Sequence, residues 1–251
     1  VTAHVLGQEY TLSRARVAGL PTIVFLHEGL GSLGLWRDFP DQLANETGCG
    51  ALVYSRRGYG NSEPITLPRP LDYMEHEGER ELPALLRELK IEDPFLFGHS
   101  DGASIALVFA GSGFAVRGLI LEAPHVFVEE LSIRSIEKAR DAYEQGNLRE
   151  KLSRWHANNV DNAFRGWNGA WLDPKFRGWN IERYLSGIRA PTLLVQGLGD
   201  EYGTGAQLDA IVRGVNGKVQ LDLFENCGHS PHQEQPGRTL ALASTFIRAR
   251  L

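Results

Sequence analysis

Pro94-Phe95-Leu96-Phe97-Gly98-His99-Ser100-Asp101-Gly102-Ala103-Ser104-Ile105-Ala106-Leu107 is the stretch that decides the fold. A short apolar run ends on Gly98. Gly-x-Ser-x-Gly follows, and small and apolar residues then continue as a helix. A strand that passes through this pattern straight into a helix presents the serine on a sharp turn. Gly98 and Gly102 let strand and helix approach closely around it. Ser100 Oγ is then expected to point out of the top of a sheet. The helix N-terminus beneath it favours developing negative charge. Glycine and serine are common, so the five residues alone carry little; the strand–turn–helix context carries the reading.

Working outward, similar apolar runs recur at Ile23–His27, Ala51–Ser55, Leu119–Glu122, Thr192–Gln196 and Val219–Phe224. Most are continuous rather than alternating, as in parallel strands buried on both faces. Helical patterns lie between several of them, most clearly at Leu35–Thr47, Asp72–Leu89 and Asp101–Ala110. Such alternation predicts an α/β fold with a mostly parallel sheet. Residues 1–19 read as an edge hairpin.

One region breaks the rhythm. From about His125 to Leu185 no strand pattern is visible, and four of the five tryptophans fall there: Trp155, Trp167, Trp171 and Trp179. A structureless loop of that length is out of place in a compact domain. The expected division is a core of residues 1–124 and 186–251 with a helical lid at 125–185. The plainer alternative is a helical extension packed on the sheet, with the tryptophans as its core.

A serine hydroxyl needs a base, and the base needs an orienting acid. Asp200 follows the Thr192–Gln196 run in Gly197-Leu198-Gly199-Asp200-Glu201. His229 follows the Val219–Phe224 run in Glu225-Asn226-Cys227-Gly228-His229-Ser230-Pro231. Both positions lie past strand ends, where sites in such sheets collect, and the order serine, acid, histidine is the expected one. Glu201 and Glu122 stand as alternative acids, and His232 as an alternative base. The backbone N–H of Asp101 supplies one oxyanion donor. A second is expected from the glycine-rich turn His27-Glu28-Gly29-Leu30-Gly31-Ser32, at Gly29 with Leu30 as the alternative. That turn carries neither nucleotide-binding glycine pattern.

Composition narrows the function classes. The 251 residues suit one large domain, or one with an insertion. A net charge of −5 with dispersed basic residues argues against nucleic acid or an anionic membrane as partner. No uninterrupted apolar run reaches the roughly 18 residues that suggest a membrane span. Two cysteines, Cys49 and Cys227, make no disulfide framework, and a reduced cytoplasm is the default expectation. No zinc-binding pattern is present, and neither metal nor organic cofactor is expected. The partner is a small-molecule substrate.

Together the residues resemble the α/β-hydrolase fold superfamily over nearly the whole chain. The resemblance includes Ser55-Arg56-Arg57-Gly58-Tyr59-Gly60-Asn61-Ser62, similar to a recurrent loop of that family whose role is mainly structural. It implies eight mostly parallel strands, a cap after the sixth, and a triad of Ser100, Asp200 and His229. Two departures stand out. Glu28 occupies a position usually held by glycine and puts a carboxylate near the pocket. Asp101 follows the nucleophile, and Ser-Asp-Gly is similar to the elbow of valacyclovirase-like α-amino-ester hydrolases. There the acidic residue helps recognise the substrate's ammonium; the competing reading is that Asp101 caps the helix.

The expected activity is cleavage of a small carboxylic ester through an acyl-enzyme. Hydrolysis of C–C bonds, thioesters or lactones, or ligand binding without catalysis, are the rivals on the same fold. Glu28, Leu30, Trp36 and Asp101 are the candidate substrate contacts. The tryptophans suggest an apolar or aromatic group, whereas the two carboxylates suggest a cationic one.

Overall fold

The computed structural model describes residues 2–251. Its strands are β1 (Ala3–Val5), β2 (Gln8–Ser13), β3 (Thr22–Leu26), β4 (Gly50–Tyr54), β5 (Phe95–His99), β6 (Gly118–Glu122), β7 (Thr192–Gly197) and β8 (Val219–Phe224). They form one eight-stranded sheet in the order β1-β2-β4-β3-β5-β6-β7-β8. β1 pairs with β2, and β2 with β4, in antiparallel fashion; every later pairing is parallel. The predicted α/β sheet and its edge hairpin are therefore both present.

The strands with continuous apolar runs are the buried ones. β4, β5, β6 and β7 are buried at every position. β8 is the far edge, and Leu221 and Leu223 are exposed there. Helices cover both faces. One apolar cluster joins Val24, Leu96 and Leu121 to the helix Asp101–Gly111, and the other joins Phe25, Phe97 and Ile120 to the helices Phe39–Thr47 and Pro236–Arg248.

β3 lies between β4 and β5. The chain leaves β3 toward one side and later returns on the other. A sheet opens a crevice at such a switch point, beyond the carboxyl ends of its strands. Leu26 pairs with Gly98, so the turn after β3 and the turn after β5 emerge side by side.

Between β6 and β7 the chain is helical, at Glu130–Glu144, Leu148–His156 and Val160–Trp171, followed by short 3₁₀ turns. Trp167, Trp171 and Trp179 are buried in the same cluster as the sheet's inner face. The helix expected over 72–89 contains one irregularity, a π-helical stretch at Glu77–Glu81. No helix among the described residues is long and apolar enough to cross a membrane. Both cysteines are buried free thiols.

Candidate active site

Ser100 sits at the β5–helix junction with φ 53° and ψ −118°. A non-glycine residue there costs about 1–3 kcal/mol and persists only where its surroundings enforce it. Here they do. Ser100 N–H donates to the Glu122 carbonyl at 2.9 Å. A Cβ on Gly102 would lie 2.0 Å from the Leu26 carbonyl oxygen, and one on Gly98 would lie 2.6 Å from Ala103 Cα. The two glycines are needed because helix and strands are packed backbone to backbone.

Asp200 lies three residues past β7, and its Oδ1 accepts from the N–H groups of Tyr202 (2.8 Å) and Gly203 (3.3 Å). The same oxygen faces His229 Nδ1 at 2.8 Å. Burial opposes ionisation of Asp200. The hydrogen bond and charge of His229 and the Tyr202 N–H outweigh it, and the carboxyl sits below its ordinary value. With Nδ1–H donating to Asp200, Nε2 is the ring nitrogen left to accept a proton. The His229 loop is itself held: Glu234 accepts from Gly228 N–H at 2.7 Å and from Ser230 N–H at 3.0 Å. Ser100 Oγ makes no hydrogen bond to the His229 ring among the described residues. Such contacts commonly close only when substrate is bound.

The alternative acid and base also meet, but with each other. His232 Nδ1 lies 2.6 Å from Glu122 Oε2, and both side chains are buried. His99, His232 and Glu122 bring ligand-capable atoms within 4.8 Å of one another. Within this group His232 Nδ1 is bonded to Glu122 and His99 Nε2–H donates to the His229 carbonyl at 2.8 Å, while His99 Nδ1 and Glu122 Oε1 are buried without a hydrogen-bond partner among the described residues. Glu201 contributes a carbonyl acceptor for Ser135 and no contact to His229.

The Glu28 carboxylate turns toward His99. The side chain folds beneath its own turn, where a Cβ on Gly31 would meet Glu28 Oε2 at 2.2 Å. It faces His99 Nδ1 at 3.6 Å as an ion pair. Burial acts to raise the Glu28 carboxyl, and the His99 cation overrides it and holds the group well below the usual carboxylate range. Burial acts to lower His99, and Glu28, Glu122 and the His229 carbonyl push it up to about 9. Trp36 is buried, 3% exposed. It is buried beneath the elbow, edge-on to Phe25 at 5.3 Å and against His232 at 4.6 Å. Gly29 lies directly against the helix Val160–Trp171, since a Cβ there would meet Trp167 Nε1 at 2.1 Å. The neighbouring Leu30 carbonyl faces His156 Nε2 at 2.8 Å.

Asp101 is 1% exposed and does not cap its helix. Its Oδ2 accepts a short hydrogen bond from Tyr73 OH, and Trp171 Nε1–H donates to the same hydroxyl at 3.1 Å. Its Oδ1 is buried and has no protein partner.

Residues 23–242 match the model of the alpha/beta hydrolase family. The chain belongs to that family. No curated protein sequence matches it significantly. Among solved structures, VinJ is 23% identical, with a TM-score of 0.74, 100% of this chain and 98% of that one covered. Proline iminopeptidase from Mycobacterium smegmatis is 19% identical, with a TM-score of 0.76 and the same coverage. Est816, described as an N-acyl homoserine lactone degrading enzyme, is 23% identical, with a TM-score of 0.72, 98% of this chain and 100% of that one covered. At these identities the likeness establishes the fold.

This alpha/beta hydrolase holds its site with residues that sequence reasoning passed over. Tyr73 and His99 each bond across the site, and nothing in their local sequence marks that role. Arg56 is the larger omission. It is 0% exposed, and its guanidinium binds the carbonyls of His27 and Glu28. The adjacent pair Arg56-Arg57 held the available signal, since successive residues of an extended segment face opposite ways.

Proposed function

We propose that the chain is a serine hydrolase that cleaves a small carboxylic ester by two-step acyl transfer. The observation that carries this reading is the 2.8 Å contact of Asp200 and His229 at the sheet end that bears a serine held at positive φ. In the first step His229 Nε2 takes the Ser100 proton while Oγ attacks the carbonyl carbon. The carbonyl electrons move to oxygen, and the N–H groups of Asp101 and Gly29 receive the oxyanion. Each such donor is worth roughly 3 kcal/mol. His229 then gives its proton to the departing alcohol. In the second step water repeats the sequence on the acyl-enzyme, releasing the acid and restoring Ser100. Asp200 fixes the imidazole tautomer and stabilises its cation throughout.

Residues 125–185 act as the lid in this reading, with Trp167 against the Gly29 turn. Lactone, thioester and C–C hydrolysis remain rivals on the same machinery, and a non-catalytic binding role is the remaining alternative. The wild-type enzyme profiled on p-nitrophenyl esters, lactones and acyl-CoA thioesters separates them, with Ser100→Ala as the control for catalysis at Ser100. Loss of turnover on esters, with fold retained, supports the reading.

Asp101 Oδ1 favours a substrate that brings a hydrogen-bond donor. An acceptor so buried is costly unless something completes it. The ammonium of an α-amino ester is the donor of best charge, in line with the Ser-Asp-Gly elbow.

A further inference from the structure

The turn that carries Gly29 is held from behind by a buried cation. Arg56 follows β4 by two residues and is 0% exposed. Its Nη1 donates to the His27 carbonyl at 2.6 Å, and its Nη2 donates to the Glu28 carbonyl at 2.9 Å. Its backbone N–H donates to His27 Nε2 at 3.1 Å. That last bond sets the His27 tautomer. Nε2 accepts, so Nδ1 carries the hydrogen and donates to the Glu28 carbonyl at 2.7 Å. Burial and the Arg56 charge keep His27 well below its ordinary value, and the neutral ring suits this double role.

The Glu28 carbonyl therefore accepts from a guanidinium and an imidazole, and from Gly31 N–H at 3.2 Å as well. In a planar trans peptide the carbonyl and the following N–H point in opposite directions. Fixing the Glu28 oxygen toward Arg56 fixes the Gly29 N–H away from it. Neither Gly29 N–H nor Leu30 N–H has a protein acceptor among the described residues. The arrangement leaves a donor free and gives its peptide plane one orientation.

The guanidinium is fully buried. Taking a cation out of water costs several kcal/mol even after relaxation. Arg56 forms no ion pair within 4.0 Å among the described residues; burial opposes its charge, and the Tyr59 ring, 5.0 Å from its Cζ, with the charges of Glu77 and Asp101, favours it. The charge is directed instead at two peptide carbonyls. A cation on a carbonyl polarises the whole peptide and makes its N–H a stronger donor.

We propose that Arg56 is a positioning residue for the oxyanion site, whose guanidinium aims and polarises the Gly29 N–H by holding the His27 and Glu28 carbonyls. This rests on the serine hydrolase reading of Ser100. The residue touches no reacting atom, and its effect belongs to the transition state, where charge reaches the carbonyl oxygen.

The test compares the wild-type enzyme with Arg56→Met and Arg56→Lys. Each is measured for kcat and KM on the ester that the wild-type enzyme turns over, for affinity toward a boronic acid that forms a tetrahedral adduct on Ser100, and for melting temperature. Arg56→Met is expected to lower kcat roughly tenfold to a hundredfold with KM little changed. Boronate affinity falls in the same proportion. Arg56→Lys keeps the charge but reaches one carbonyl, and is expected to fall between. If Arg56→Met does not fold, Arg56→Lys carries the test alone. An unchanged kcat in either folded variant overturns the proposal, as does a loss of kcat with boronate affinity intact. Failure of the parent reading looks different: the wild-type enzyme itself would then bind no boronate at Ser100.

Discussion

His99 Nε2 donates to the backbone carbonyl of His229 across 2.8 Å, so the residue before the nucleophile holds the loop of the proposed base. The groups facing His99 are Glu28, Glu122, His229 and His232. Its folded value is raised to about 9, against about 6.5 in the unfolded chain. Between those values the folded state binds the extra proton. The stabilisation is full below about pH 6.5 and is lost as pH rises through about 9. Urea unfolding of wild type and His99→Gln across pH 6–10 should show their stability difference shrinking by roughly 3 kcal/mol. A difference that stays constant over that range contradicts the assignment.

Besides His99 and Glu28, two histidine–carboxylate pairs lie near Ser100, and they do different work. Asp200→Asn should lower kcat by about three to four orders of magnitude, through the wrong tautomer, with a modest change in melting temperature. Glu122→Gln breaks a fully buried pair and should cost roughly 3–5 kcal/mol of stability. Specific activity of its folded fraction should stay within a few-fold of wild type. Reversal of the two patterns would make Glu122 and His232 the catalytic pair.

Gly29 is sterically required only while Trp167 lies over it. Gly29→Ala should lower kcat and cost about 1–3 kcal/mol through the collision with the indole. Trp167→Ala should restore most of that loss in the double variant. A thermodynamic cycle with no coupling between the two positions rules out the contact as the cause.

The fold was legible because buried parallel strands must be apolar throughout. All six strands expected from 22 onward appear within two residues of the runs that announced them. The helix expected from Leu35 begins as a 3₁₀ turn at Leu33–Trp36, and the α-helix starts only at Phe39, after Arg37 takes φ 52°. Strand ends were legible too, which is why Ser100, Asp200 and His229 were named. What was not legible depends on side-chain direction. Glu28 turns under its own turn to His99, and Trp36 packs below the elbow. Arg57 runs outward to Glu81 while Arg56 runs inward. These partners are set by tertiary contacts far apart in sequence, and no local pattern encodes them.

Asp101 offers a test of substrate charge. Asp101→Asn should raise KM for an α-amino ester at least tenfold and leave its neutral, des-amino counterpart within a few-fold. Tyr73→Phe removes the donor to Oδ2 and should cost about 1–3 kcal/mol of stability. Equal effects of Asp101→Asn on both esters would show that the carboxylate only supports the elbow.

The proposed nucleophile is Ser100. Intact-mass and peptide mass spectrometry after treatment with a fluorophosphonate test it most directly. One adduct per chain is expected, located on Ser100, slowed severely in His229→Ala and absent in Ser100→Ala. An adduct on any other residue, or one that persists in folded Ser100→Ala, would contradict it.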